Sequence, residues 1–572
     1  MDYQKEYQRW LKMADADTVA ELNAIADDET EIKDRFYRTL EFGTAGLRGV
    51  LGAGANRMNT YVVGQATQGL ANQLLATNPG GALRVAIAYD SRHQSDVFAK
   101  EAAIILAANG ITAYLFDELK PVPELSFAVR HIGATAGIAV TASHNPAKYN
   151  GYKVYGADGA QLNPALAAIV LSEIEKTDMF TDVKKCDFDQ AVKDGKIVMM
   201  GDDVEDAYLD EVQKQCINPE LAREKGSRLK FVYTPFHGAG NKPVRKILKR
   251  VGFDNVVVVK EQELPDGDFP TVASPNPENK EGFTLAIGYA KECGADLIVG
   301  TDPDSDRVGI LVKDENGEYV SFTGNQVGAL LTEYILSSLK ERGQLPKDGY
   351  VVKTIVTTNI IAAMCRAYGV EMKEVLTGFK FIGEKIKESE ETGIGTYLFG
   401  FEESYGYLKG TYARDKDAVV AVMLIAEMAL YYQEKGSSIF EQMDRIYQKY
   451  GYYKEQVESV TMEGMEGLDR IAGIMENIRN NPPASVAGKK VIAVRDYQTS
   501  LRTDLATGKQ EKILLPTSNV IYLELEDDNN FIIRPSGTEP KIKLYCLLKG
   551  KTKQEAEQLC ELVKTDIAAL VK

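Results

Sequence analysis

Three aspartates at alternate positions, and a serine two residues before an Asn-Pro turn, carry the most chemistry in this chain. The segment LIVGTDPDSDRVG (297–309) holds Asp302, Asp304 and Asp306. Alternate residues of an extended segment share a side, so the three carboxylates can converge on one cation. Oxygen ligands alone select a hard ion such as Mg²⁺, Mn²⁺ or Ca²⁺. An EF-hand is excluded: counted from Asp302, its obligatory Gly and Glu positions are occupied by Arg307 and Lys313. Arg307, next to the last carboxylate, can help an anionic oxygen approach the ion.

The serine is Ser143, in TASHNPAKYNGYKVYG (141–156). It stands where an apolar run gives way to a turn set by Asn145-Pro146. As a hydrolase nucleophile it would need His144 as base. Adjacent side chains of an extended chain point to opposite faces, which turns His144 away, and no G-x-S-x-G elbow surrounds Ser143. Two further loops are suited to binding. In FGFEESYGY (399–407), Glu402 and Ser404 alternate, and a carboxylate with a hydroxyl can hold sugar hydroxyls. In FIIRPSGTEPKIK (531–543), Arg534 offers a planar fork to phosphate oxygens. Ser536, Gly537 and Thr538 add hydroxyls and the amides of an anion-binding nest. A Walker loop, G-x-x-x-x-G-K-[ST], occurs nowhere, and FGTAGLRG (42–49) adds a glycine-rich loop with Arg48.

The elements that position these loops read as α/β. Residues 1–40 mix charged and apolar residues at helical spacing. Thereafter short apolar runs such as RVAIAYD (84–90), GIAVTASHNP, FVYTPFHGAG and TYLFGFEES end abruptly in polar loops. Strand, polar loop, helix is the grammar of α/β units, whose parallel sheets place ligands at the carboxyl ends of strands. The tail instead reads as a smaller α+β domain. The expected division is 1–205 with the serine loop, 206–318 with the metal loop, 319–445 with the sugar loop and 446–572 with the phosphate loop. The charge is 67 − 83 = −16, which argues against wrapping nucleic acid or lying on anionic membranes. Six cysteines without C-x-x-C spacing fit reduced thiols. The charged N-terminus has no signal-peptide core, and the apolar stretch Ala418–Tyr432 is too short to span a bilayer. A cytoplasmic, non-membrane protein is expected.

Four ordered segments resemble the hallmark loops of the α-D-phosphohexomutase superfamily: TASHNP (141–146), TDPDSDR (301–307), GFEESYG (400–406) and RPSGTEPK (534–541). FGTAGLRG, NGYK (150–153) and DGDFPTVASPNPE (266–278) look like further family elements. The EES form of the third loop and TGFKFIG (377–383) are most similar to the branch of phosphoglucomutases and phosphopentomutases. Where shorter bacterial relatives carry a histidine after this loop, Tyr405, Gly406 and Tyr407 stand here. The resemblance implies four domains in a heart shape around a central cleft, three α/β and one smaller. It implies interconversion of glucose 1-phosphate and glucose 6-phosphate, with pentose or mannose phosphates as alternative substrates. The rival activities are a sugar phosphatase and a non-catalytic sugar-phosphate sensor. It further implies a phosphate on Ser143 and one Mg²⁺ per chain held by Asp302, Asp304, Asp306 and phospho-Ser143. Glucose 1,6-bisphosphate would be primer and intermediate. Substrate contacts would come from Arg307, Gly378, Lys380, Glu402, Ser404, Arg534, Ser536, Gly537 and Thr538. Lys153, His144 and Arg48 match positions near the transferred proton, and the base stays open among them. A monomer or weak homodimer is expected.

Overall fold

The computed structural model describes residues 2–43, 46–462, 465–536 and 541–570. The chain forms two compact units and passes between them more than once. One holds residues 1–322, 383–393 and 405–431; the other holds 323–382, 394–404 and 432–572.

The first unit opens with three helices, Tyr3–Met13, Ala16–Asn23 and Glu29–Phe36. Asp15 and Asp28 break the expected helical stretch, because each accepts the N–H of the residue three places on and so starts a new helix. Trp10, wholly buried, packs edge-on against Phe36, Tyr61 and Phe180. A mixed sheet follows. Arg84–Tyr89 runs parallel to Thr112–Phe116 and Ala136–Val140, and Ile197–Met200 runs parallel to Thr112–Phe116. Tyr149–Gly156 returns antiparallel along Ala136–Val140, and Leu47–Val50 lies antiparallel to that return. In the second sheet Phe231–Thr234 is parallel to Val256–Val258 and Leu297–Thr301, while Val308–Lys313 returns antiparallel along Leu297–Thr301.

In the second unit, Gly349–Thr354 lies parallel between Glu371–Val375 and Thr396–Glu402. The C-terminal sheet is antiparallel, with Asn530–Pro535 between Ile521–Leu525 and Lys541–Gly550. The helices Met465–Asn480 and Lys553–Leu570 cover it, burying Ile471, Met475, Leu559 and Val563.

These sheets correct one expectation. None of the chemistry-bearing loops leads from a strand into a helix. Ala136–Val140 returns as Tyr149–Gly156, Leu297–Thr301 as Val308–Lys313 and Asn530–Pro535 as Lys541–Gly550, each pair antiparallel. Thr396–Glu402 likewise leads into a strand, Gly406–Leu408. A short return fixes both ends of a loop in one sheet, a tighter frame than a crossover to a helix. The helix Ala418–Glu434 is apolar from Ala418 to Leu430 except for the buried Glu427, whose carboxylate accepts the N–H groups of Ile217 and Asn218. Among the described residues no helix is long and apolar enough to cross a membrane.

Trp10→Ala should remove about 3–5 kcal/mol from the stability of the first unit. Urea unfolding followed by circular dichroism should show its transition at a lower midpoint. An unmoved midpoint would mean that the helices at the N-terminus do not pack as described.

Candidate active site

The aspartate loop closes on itself. Asp302 Oδ1 accepts the backbone N–H of Asp306 (3.1 Å) and of Arg307 (3.0 Å). Ser305 takes a left-handed φ of 51°, so a tight bend, and not an extended edge, turns the carboxylates inward. Their oxygens lie within 4.8 Å of one another and all three side chains are buried. A second loop backs the bend: Ala239 donates its N–H to the Pro303 carbonyl at 2.8 Å. A Cβ on Gly238 would stand 2.5 Å from Pro303 Cα, so only glycine permits this approach.

Charge around the trio is finely divided. Lys153 donates to Asp304 Oδ2 at 2.9 Å, and Lys416 to Asp306 Oδ2 at 3.1 Å and to Asp415 at 2.9 Å. Burial, and then repulsion from neighbouring carboxylates, pushes Asp302 and Asp306 above the usual carboxylate range. Burial works the same way on Asp304, but Lys153 holds it below that range. Asp304 Oδ1 and Asp306 Oδ1 are buried without a hydrogen-bond partner among the described residues. Buried polar atoms are rarely left so. Two orphaned oxygens in an oxygen-only cluster fit a hard divalent cation.

Two hydroxyls join the serine loop to this cluster. Thr141 Oγ1 donates to Asp304 Oδ2 (3.2 Å) and accepts the Ser143 N–H (2.8 Å). Ser143 Oγ donates to Asp302 Oδ2 at 2.9 Å and lies 3.1 Å from His144 Nδ1. The last contact corrects the expectation that His144 points away. Side chains alternate only along extended backbone, and Ser143 has φ 52°. Burial, then the positive charges of Arg307 and Arg48, pushes His144 down to about 2. The hydrolase reading still lacks its G-x-S-x-G elbow, and Ser143 Oγ donates to Asp302 as well as lying near His144. Arg92, buried and paired with Asp90 at 3.2 Å, shapes the loop by donating to the carbonyls of Ser143, Asn145, Pro146 and Tyr149. Arg48 reaches Asn145 Oδ1 at 3.2 Å, and Arg307 pairs with Glu278 at 2.9 Å.

The first unit therefore brings together Ser143, His144, Lys153, Arg48, Arg307 and the three aspartates. Lys416, Arg92 and Thr141 were not anticipated. Their signals were an apolar strand ending in Asp90-x-Arg92 and the charged run Arg414–Asp417 ahead of an apolar helix.

The second unit holds the expected binding loops. Glu402, buried, accepts the Gly378 N–H at 2.7 Å, with Gly378 at φ 123°. Ser404 is half-buried two residues on, and Lys380 lies in the first turn of Phe379–Thr392. Arg534 Nη1 approaches the Tyr545 hydroxyl at 3.4 Å, and the Ser536 N–H donates to the Lys541 carbonyl at 2.7 Å. Gly537 and Thr538 lie outside the described residues.

Family models described as phosphoglucomutase/phosphomannomutase, alpha/beta/alpha domains I, II and III, match residues 39–180, 206–317 and 323–450. The chain belongs to this family. It is 38% identical over 553 residues to a phosphoglucomutase of Staphylococcus saprophyticus, covering 96% of this chain and 98% of that one. A phosphoglucomutase of Staphylococcus aureus is 39% identical over 543 residues, covering 94% and 95%. The fold matches a phosphoglucomutase/phosphomannomutase family protein of Burkholderia thailandensis (TM-score 0.66, 18% identity, 92% of this chain and 97% of that one). It also matches the Paramecium phosphoprotein pp63/parafusin, a phosphoglucomutase (TM-score 0.67, 16% identity, 93% and 94%). The mixed sheets and the β-rich C-terminal domain are those of the phosphohexomutase architecture.

Gly238→Ala should displace the Asp302–Asp306 loop without unfolding the sheet. Mn²⁺ affinity, followed by electron paramagnetic resonance, should weaken about 10- to 100-fold, as for other residues that orient metal ligands. Unchanged affinity would show that the loop tolerates the added methyl.

Proposed function

We propose that this protein interconverts glucose 1-phosphate and glucose 6-phosphate through a phosphoserine at Ser143 and a bisphosphorylated sugar. The observation that carries this is Ser143 Oγ, 2.9 Å from a carboxylate of the buried aspartate trio. A serine so placed would present a phosphoryl group directly to a metal. The glucose assignment is supported by relatives named phosphoglucomutase that align with 94–96% of this chain.

Asp302, Asp304, Asp306 and an oxygen of phospho-Ser143 would hold the ion. Mg²⁺ there would neutralise and orient the transferring group. The remaining work belongs to side chains. A sugar hydroxyl attacks phosphorus; its new P–O bond forms as the bond to Ser143 Oγ breaks, and the hydroxyl proton passes, by way of a base among Lys153, His144 and Arg48, to the serine oxygen that is released. The bisphosphorylated sugar then turns, and the reverse transfer returns its other phosphate to Ser143. Lys153 and Lys416 flank the aspartates and balance the charge that shifts between sugar and serine. Arg92 keeps the Ser143 carbonyl, and with it the loop, in one place for both transfers.

Glu402, Ser404, Gly378 and Lys380 would hold the sugar in either orientation. Arg534, Ser536, Gly537 and Thr538 would grip the phosphate distant from Ser143, and Arg48 and Arg307 would attend the near one. In this proposal the segments 1–205, 206–318, 319–445 and 446–572 each supply one loop, and glucose 1,6-bisphosphate primes Ser143.

Purified protein incubated with glucose 1,6-bisphosphate should gain one phosphate, mapped to Ser143 by peptide mass spectrometry. Ser143→Ala should abolish turnover of glucose 1-phosphate while still binding it. A fully active Ser143→Ala would end the phosphoserine reading. Glu402→Gln should lower kcat/KM by about 10- to 1000-fold in both directions, since a site built to bond hydroxyls depends on its acceptor. Near wild-type rates on glucose, mannose and ribose phosphates alike would make Glu402 an ordinary turn residue.

A further inference from the structure

The sugar-reading loop has a back as well as a front. Glu402 faces the Gly378 amide, but its neighbour Glu403 is anchored elsewhere. Glu403 Oε2 accepts from the hydroxyls of Thr354 (3.2 Å) and Thr357 (3.1 Å). Both threonines are wholly buried, and their hydroxyls lie 2.8 Å apart. They form a turn, closed by the Thr357 N–H on the Thr354 carbonyl at 3.1 Å.

Under that turn sits a chain of buried charge. Lys353, wholly buried at the end of Gly349–Thr354, donates to the carbonyls of Thr354 (3.2 Å) and Thr357 (3.0 Å) and to Glu374 Oε1 (3.0 Å). Glu374 Oε2 accepts from Arg495 Nη1 at 2.9 Å. Burial works against the charge on Glu374, yet Lys353 and Arg495 hold its carboxyl below the usual range. Arg495 belongs to Lys489–Asp496 of the C-terminal sheet, where its Nε meets Glu524 at 2.5 Å and its guanidinium lies 4.6 Å over the Tyr522 ring. Hydrogen bonds thus run without a gap from the C-terminal sheet to the back of the sugar loop.

A second line reaches the same carboxylate. Tyr545 stands on Lys541–Gly550, the return strand of the phosphate loop, and meets Arg534 at 3.4 Å. Burial, and then the charge of Glu403, pushes its hydroxyl up to about 12, with Glu402 adding to the effect. Glu403 is thus anchored on the threonine turn, and Arg534 stands on the same sheet that carries Arg495.

We propose that Glu403 is a positioning residue, and that the path Arg495–Glu374–Lys353–Thr354/Thr357–Glu403 sets the spacing between the sugar-holding carboxylate Glu402 and the phosphate-holding Arg534. This rests on the mutase reading above. In the proposal that spacing acts as a ruler for the substrate: set for the span from sugar hydroxyls to distal phosphate in a hexose phosphate, it would suit a shorter pentose phosphate less well. Alternating charges suit a ruler, because each orients the next, and loss of one takes a partner from its neighbour.

The test uses the full-length enzyme. Arg495→Gln and Thr357→Val leave Glu402 and Arg534 untouched, and Thr357→Ser is the conservative control. For glucose 1-phosphate, KM should rise about tenfold in Arg495→Gln and Thr357→Val with kcat within about threefold, while Thr357→Ser stays near wild type. The preference for glucose over ribose 1-phosphate should narrow by a similar factor. The double variant should be no worse than either single one, because residues on one path do not add. A lowered melting temperature with unchanged KM and unchanged sugar preference would overturn the proposal and make the path a domain-joining ion network only. Multiplicative effects in the double variant would overturn it as well. A wild-type enzyme inert on every sugar monophosphate would instead sink the mutase reading, whereas an active wild type with unmoved variants sinks only the ruler.

Discussion

Three carboxylates buried within 4.8 Å of one another set the terms for everything around them. Burying even one ionised carboxylate is costly unless it is paired and hydrogen-bonded. Here Lys153 and Lys416 supply two positive charges, and Lys416 shares its own with Asp415, so the cluster keeps an excess of negative charge and two oxygens are left without donors. A divalent ion would offset that excess and let a phosphoryl group approach. The same need explains the lysines. Lys153 sits on the return strand of the serine loop, and Lys416 in the run between Gly406–Leu408 and Ala418–Glu434. Different parts of the chain are tied to one cluster by these charges and by the hydroxyls of Thr141 and Ser143.

The backbone around the cluster is bent to suit. Ser143, Ser305 and Tyr405, none of them glycine, all have φ between 51° and 66°. Such conformations cost of order 1–3 kcal/mol each and persist only where the surroundings enforce them. The enforcement is visible at each. Arg92 holds the carbonyls on both sides of the serine turn, Asp302 collects the amides after Ser305, and the Tyr405 carbonyl accepts the Val308 N–H at 3.0 Å. Because each loop joins two neighbouring strands, both ends are fixed and the bend between them has few alternatives.

Much of this was legible in the sequence, and the failures share a cause. The aspartates, Ser143, Lys153, Glu402 and Arg534 stand out because rare residue types at short spacing announce themselves locally. The helical start, the β-rich tail and the abrupt strand ends were legible for the same reason. His144 was turned the wrong way because alternation presumes extended backbone, and nothing in Ala-Ser-His declares a left-handed serine. Arg92, Thr141 and Lys416 were missed because each acts across the chain. Arg92 lies 51 residues from the Ser143 carbonyl it holds, and Thr141 lies 163 from Asp304. The antiparallel returns were missed because a strand followed by a polar loop looks the same whether a helix or a strand comes next.

The two units divide the work in a way the chemistry makes intelligible. Every group proposed to form or break a P–O bond belongs to the first: Ser143, the aspartates, Lys153 and Lys416. The residues proposed to hold the sugar, Glu402 and Ser404, and Arg534, proposed for the distal phosphate, belong to the second. A bisphosphorylated intermediate must present each of its phosphates to one serine, so the groups doing the chemistry have to be indifferent to which end arrives. Carboxylates, lysines and a cation meet that demand, since they read charge and not shape. Recognition faces the opposite demand, because glucose 1-phosphate and glucose 6-phosphate differ only in shape. Holding both with one set of groups requires contacts that survive the turn, namely hydroxyls common to both orientations and a phosphate at a fixed distance from them. A carboxylate on a short loop and an arginine at a strand end, both framed by sheets of the same unit, can keep such a distance.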